Sequence, residues 1–96
     1  MVKHGALMHE AGDDVAVAII NISRGVVVEV MTLEGEKIGE VEAIDDIPLG
    51  HKISMRDIVE GEEVIKYGRP IGRATQAIAR GAHIHVHNIM STRWGR

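Results

Sequence analysis

Ile47-Pro48-Leu49-Gly50-His51-Lys52-Ile53 sets an isoleucine, a glycine and a second isoleucine three residues apart. The same frame, Ile-x-x-Gly-x-x-(Ile/Val), recurs at Ile22/Gly25/Val28, Ile58/Gly61/Val64 and Ile78/Gly81/Ile84. Glycine takes positive φ without steric penalty, so each copy reads as an anchoring isoleucine, a tight turn and a β-branched residue entering the next strand. The intervals between copies are unequal, which argues against a solenoid. A chain punctuated this way is mainly β, with short strands and tight turns.

Outward from these copies, the apolar stretch Val15 to Ile20 is bounded by Gly12-Asp13-Asp14 and Asn21 and reads as a buried strand. Val26 to Leu33 is rich in β-branched residues, and Glu34-Gly35-Glu36-Lys37 turns it into Ile38 to Ile44, a hairpin with a carboxylate-rich outer face. Gly72 to Gly81 carries apolar residues at helical spacing and ends on a glycine, which predicts one short helix near 73–80. A strand over 82–89 is expected to follow it.

The 96 residues form one domain, 1–96, with a core expected over about 9–90 and short flexible ends. Cysteine is absent, which excludes disulfides and thiolate metal sites. The N-terminus lacks an apolar signal region and no apolar run could cross a bilayer, so a soluble, cytoplasmic protein without a membrane partner is expected. Charge is unevenly spread: residues 29–63 hold eleven Asp/Glu against three Lys/Arg, whereas 64–96 hold six Lys/Arg and no carboxylate. The basic third suits an anionic partner, and a small acid is favoured over nucleic acid because Tyr67 and Trp94 alone cannot supply a row of stacking platforms.

His83-Ile84-His85-Val86-His87 alternates imidazoles with β-branched residues. On a strand, His83, His85 and His87 share one face while Ile84 and Val86 pack the other. Two imidazoles at that spacing can lean towards one metal ion, the third reaching another partner or solvent. Neutral imidazole also serves as a general acid or base near pH 7. His51 stands at a turn-to-strand position beside Lys52, while His4 and His9 lie in a stretch expected to be flexible, with Gly12-Asp13-Asp14 able to fold His9 back over the first strand. Asp45-Asp46 and Glu62-Glu63 fall at turns and read as solvated charge. No nucleophile elbow or phosphate-binding glycine loop is present.

Gly50-His51-Lys52, then Val64-Ile65-Lys66-Tyr67-Gly68 with Ile71-Gly72, then Gly81-Ala82-His83-Ile84-His85-Val86-His87-Asn88 resemble the N-terminal segment of the altronate/galactarate dehydratase family, a SAF domain, over about residues 9–90. His9-Glu10-Ala11-Gly12-Asp13-Asp14-Val15 stands where altronate dehydratases tend to open with His-Pro-x-Asp-Asn-Val; it lacks the proline and is one residue longer. That longer form, with Thr92-Arg93-Trp94, is similar to the small subunits of sulfolactate sulfo-lyase in the same family.

The resemblance implies a β-clip fold of short two-stranded elements and half of an enzyme. The other half would be a large catalytic subunit, the substrate a sugar acid or sulfolactate, and the cofactor iron(II) or manganese(II) held mainly by that large subunit. Under it, His83 and His85 take the metal or acid/base role, with His87 and His51 as further catalytic candidates. Lys66, Arg73, Lys52 and Asn88 would bind substrate. A free-standing SAF binding module and an isolated metal-binding domain are readings from other classes.

Overall fold

The structure is a computed structural model and describes residues 3–10 and 12–91. Nine strands are present among them: β1 (Lys3–Met8), β2 (Val15–Ala18), β3 (Val27–Thr32), β4 (Lys37–Glu42), β5 (Lys52–Ser54), β6 (Glu63–Lys66), β7 (Arg69–Ala74), β8 (His83–Ile84) and β9 (Ile89–Ser91). They form a six-stranded sheet ordered β4-β3-β1-β2-β5-β8 and a three-stranded sheet ordered β6-β7-β9. All neighbours run antiparallel except β1 and β3. The mainly β architecture, the β3–β4 hairpin and the buried strand after Asp14 are as the sequence led one to expect.

The repeated frame organises both cores. Ile22 exchanges backbone hydrogen bonds with Ile47 at 2.8 Å each, and Ile58 does so with Ile78 at 2.7 and 2.8 Å. In every copy the glycine has φ between 87° and 90°. The residue after it donates to the carbonyl three residues back: Val26 to Ser23, His51 to Pro48, Glu62 to Val59 and Ala82 to Ala79. Positive φ at the third position is what a type II turn demands, and only glycine meets it without cost.

The anchoring residues of all four copies are at most 3 % exposed. Ile22, Val28, Ile47 and Ile53 belong to one apolar cluster, and Ile58, Val64, Ile78 and Ile84 to the other. Each such side chain contributes on the order of 1.5–3 kcal/mol by leaving water. β2 stitches the clusters together, because Val15 packs in the second while Ala16 and Ala18 pack in the first.

Four expectations are corrected. Residues 73–80 form no helix: Ala74 closes β7, the Ala74 and Thr75 N–H groups donate to the carbonyls of Glu62 and Asn88, and Ile78 forms the bridge to Ile58. The helical spacing of Ala74 and Ile78 arises because the chain enters the core twice, and Gly81 is a turn glycine, not a helix cap. The strand expected over 82–89 is also broken, since only His83–Ile84 is extended before a turn leads into β9. Val86 is therefore not packed into the core and is 83 % exposed.

The N-terminal stretch is ordered structure. β1 lies between β2 and β3, with Ala6 and Met8 buried. The paired acids are not merely solvated either. Asp46 Oδ1 accepts from Arg24 N at 2.9 Å, Asp45 Oδ2 from His83 N at 3.0 Å and Glu62 Oε1 from Val59 N at 2.9 Å, each satisfying a turn N–H. Thr92-Arg93-Trp94 and Ala11 lie outside the described residues.

Candidate active site

β5 and β8 are neighbours, with Ile53 opposite His83 and Lys52 opposite Ile84. His51, held at the end of the Pro48–His51 turn, thereby meets the start of β8. Its Nδ1 lies 2.8 Å from His83 Nε2, a hydrogen bond in which one ring keeps the proton. The turn after β8 then brings His85 back over the same place, its ring centroid 4.0 Å from that of His51 at an interplanar angle of 18°. One nitrogen from each of His51, His83 and His85 falls within 4.8 Å of the others, and all three residues are half-buried.

That turn is closed by Asn88, which is 3 % exposed. Its Oδ1 accepts from His85 N at 3.0 Å and its Nδ2 donates to the His83 carbonyl at 2.8 Å. Both ends of the amide are thus committed to the backbone. Asn88 clamps the two histidines, at the position where the sequence leads one to expect a substrate contact. His87 flanks His83 at 5.0 Å between centroids but is exposed and outside the trio.

The electrostatics favour neutral rings. Burial, then His87, His51 and His85, lower the His83 pKa from its usual value against an opposing pull from Asp45. Loss of water, then His51, Lys52 and His87, lower that of His85. A neutral imidazole has a lone pair to offer a proton or a metal ion.

Beside the trio lies a cleft of about 350 Å3 lined by Lys52, Lys66, Tyr67, Ile71, Val86 and Ile89. It draws on both sheets and on the turn after β8. Lys66 Nζ is 3.3 Å from the Tyr67 hydroxyl and 4.5 Å from the ring centre. Burial, with Lys66 adding repulsion, lowers the pKa of Lys52. Two cations near one apolar cleft suit an anion. Arg73 does not line the cleft: it donates to the Gly61 carbonyl at 3.1 Å and approaches Glu63 at 4.0 Å.

Tyr67 escaped the sequence reading as a site residue. It has φ of 59° and the next residue, Gly68, 71°, a tight hairpin turn whose N–H groups donate to Asp13 at 3.0 and 3.1 Å. The Tyr67-Gly68 pair beside Lys66 was the available signal, with its partner 54 residues away. The same acidic turn brings His9 to Tyr67, with centroids 4.1 Å apart and its Nδ1 buried without a hydrogen-bond partner. His4 pairs with Glu29 on the surface at 2.7 Å.

A small mainly β domain with paired glycine turns, an imidazole trio and a cationic cleft is the class these features define. The family model described as the altronate/galactarate dehydratase SAF domain matches residues 4–92, and the chain belongs to that family. It is 38 % identical over 89 residues to the (2R)-sulfolactate sulfo-lyase subunit alpha of Chromohalobacter salexigens, covering 92 % of this chain and 95 % of that one. It is 42 % identical over 76 residues to the altronate dehydratase of Escherichia coli strain K12, and 54 % over 48 residues to that of Bacillus subtilis strain 168. The matches cover 79 % and 50 % of this chain but 14 % and 10 % of those enzymes. Among the described residues no helix is long and apolar enough to cross a membrane.

Proposed function

We propose that the chain is the small subunit of a lyase acting on hydroxylated carboxylic acids, working with a separate large catalytic subunit. The observation that carries this reading is the half-buried trio His51, His83 and His85 beside a cleft whose cations are Lys52 and Lys66. Elimination removes a weakly acidic proton α to a carboxylate, so negative charge builds on that carboxylate and must be met by cations or donors. Lys66 and Lys52 supply that charge, while a neutral imidazole takes the α-proton and, as the imidazolium so formed, gives it to the departing hydroxyl.

The metal implied by the family resemblance fits this donor set. Three imidazole nitrogens, none paired with a carboxylate through its ring, suit a divalent transition ion. His83 and His85 would hold it together with residues of the large subunit, and iron(II) or manganese(II) would act there as a Lewis acid on the substrate carboxylate.

In the first reading the leaving group is water and the substrate a sugar acid of the altronate or galactarate type, as the dehydratase relatives suggest. A second reading, elimination of sulfite from sulfolactate, is favoured by the match over nearly all of a sulfo-lyase alpha subunit. The cleft adds support, because beyond two lysines and Tyr67 its lining is apolar and offers little to a row of hydroxyls.

Co-expression with a large dehydratase-like subunit tests the proposal, with altronate, galactarate and sulfolactate screened under metal add-back. Elimination from one of these acids by the complex, and none by the small chain alone, is the expected result. Full activity in a complex carrying both His83→Ala and His85→Ala would overturn the assignment.

A further inference from the structure

We propose that this chain alone binds one divalent transition-metal ion on a three-imidazole face: His51 Nδ1, His83 Nε2 and one ring nitrogen of His85. The inference deepens the lyase reading and rests on it for the ion's use, not for its binding. In that reading the metal is held mainly by the large subunit. Here the small chain offers a three-ligand site of its own.

The distances carry the argument. Imidazole nitrogens bind such ions at about 2.0–2.1 Å, so two ligands on one ion stand roughly 3–3.4 Å apart. His51 Nδ1 and His83 Nε2 are 2.8 Å apart, and one ring nitrogen from each of His51, His83 and His85 lies within 4.8 Å of the others. To share one ion, the His51 and His83 rings must turn so that their lone pairs meet at the metal instead of at each other, the His85 ring must turn out of its stack on His51, and the nitrogens must settle at that spacing. The bridging proton needs only to pass to the other nitrogen of its own ring through solvent, with no net change of charge.

Preorganisation comes from the backbone, leaving the rings free. His83 N is held by Asp45, and His85 N and the His83 carbonyl by Asn88. The three rings stack within 24° of parallel, so binding an ion exchanges that stacking for coordination by rotation of the side chains on a fixed backbone. Three protein ligands with the remaining positions open is the pattern of reactive rather than purely structural sites. His87 is excluded although it continues the alternation in sequence, because the turn carries it out of the group.

Calorimetric titration of the full chain with zinc(II), chosen because it is redox-inert, is the test, joined by nitrogen NMR of the imidazoles. One ion per chain is expected, with shifts at His51, His83 and His85. His51→Gln, His83→Gln and His85→Gln should each weaken binding by about tenfold or more, while His87→Gln changes it by about twofold or less. Circular dichroism of each variant separates lost binding from lost folding, and His51→Asn gives a second variant where glutamine disturbs the turn. No uptake by the folded wild-type chain, or a dependence on His87 in place of His51, overturns the proposal. Zinc(II) uptake of this kind without lyase activity in any complex sinks the lyase reading and leaves the site standing; an active complex whose small chain takes up no metal does the reverse.

Discussion

Asn88 shows how much one side chain governs here. Its amide satisfies both the His85 N–H and the His83 carbonyl while itself buried. Removing it leaves two part-buried backbone groups without their partner, each costing on the order of 1–3 kcal/mol where water cannot replace it. Asn88→Ala should therefore lower stability by about 2–4 kcal/mol in urea titrations. Asn88→Asp keeps the acceptor but faces the His83 carbonyl with a second oxygen, and should be destabilising through that contact alone. The histidines also set a pH dependence. The pKa of His83 is lowered on folding from 6.5, first by burial and then by His87, His51 and His85, so the unfolded chain binds more protons below that value. Stability is then complete above about pH 6.5 and falls as acid is added through the lower folded value. Urea midpoints at pH 7.5 and 5.5 should show the loss, and His83→Gln should reduce it.

At the scale of elements, the four glycine turns share one backbone geometry but not one environment. A methyl group at Gly61 would meet nothing within 4 Å, whereas at Gly81 it would run into the Glu42 carbonyl oxygen. Both have φ of 87°. Gly61→Ala should cost roughly 1–2 kcal/mol, the price of left-handed backbone. Gly81→Ala adds a backbone clash and should cost more, detaching the start of β8 from the end of β4, where Ile44 N donates to the Gly81 carbonyl at 3.0 Å. Thermal melts of the two variants give the comparison. The sequence was ambiguous at Gly81, since a glycine after helically spaced apolar residues also fits a helix end. Pairing of Ile78 with Ile58, twenty residues earlier in the chain, decided it.

In the whole molecule, two cores are joined by β2 and by the residue that precedes it. Asp14 is buried; its carboxylate accepts from Arg56 Nε at 2.7 Å and from Ile65 N at 2.8 Å, and its own backbone bonds to Ile65 and Met55. The hydrogen bonds it donates to Asp14 and then to Glu62 hold the Arg56 guanidinium firmly protonated. Asp14→Ala should cost about 1–3 kcal/mol, since it leaves the Ile65 N–H without its side-chain acceptor between the cores, while Arg56 keeps Glu62. Glu62→Gln, which leaves that join intact, should cost much less than Asp14→Ala. Chemical denaturation distinguishes the two, and loss of cooperativity in Asp14→Ala would show the cores parting.

The sequence by itself determined the repeated isoleucine-glycine turns, the hairpin with its acidic face, the mainly β class and the family, because these depend on local backbone preference and on residue order. Only the tertiary structure decided which histidines meet. Periodicity grouped His83, His85 and His87 on an imagined straight strand; the Asn88-clamped turn and the β5–β8 pairing instead joined His83 and His85 to His51, more than thirty residues away. Proximity of that kind is set by hydrogen bonds between distant segments, to which the spacing of residues along a chain is blind.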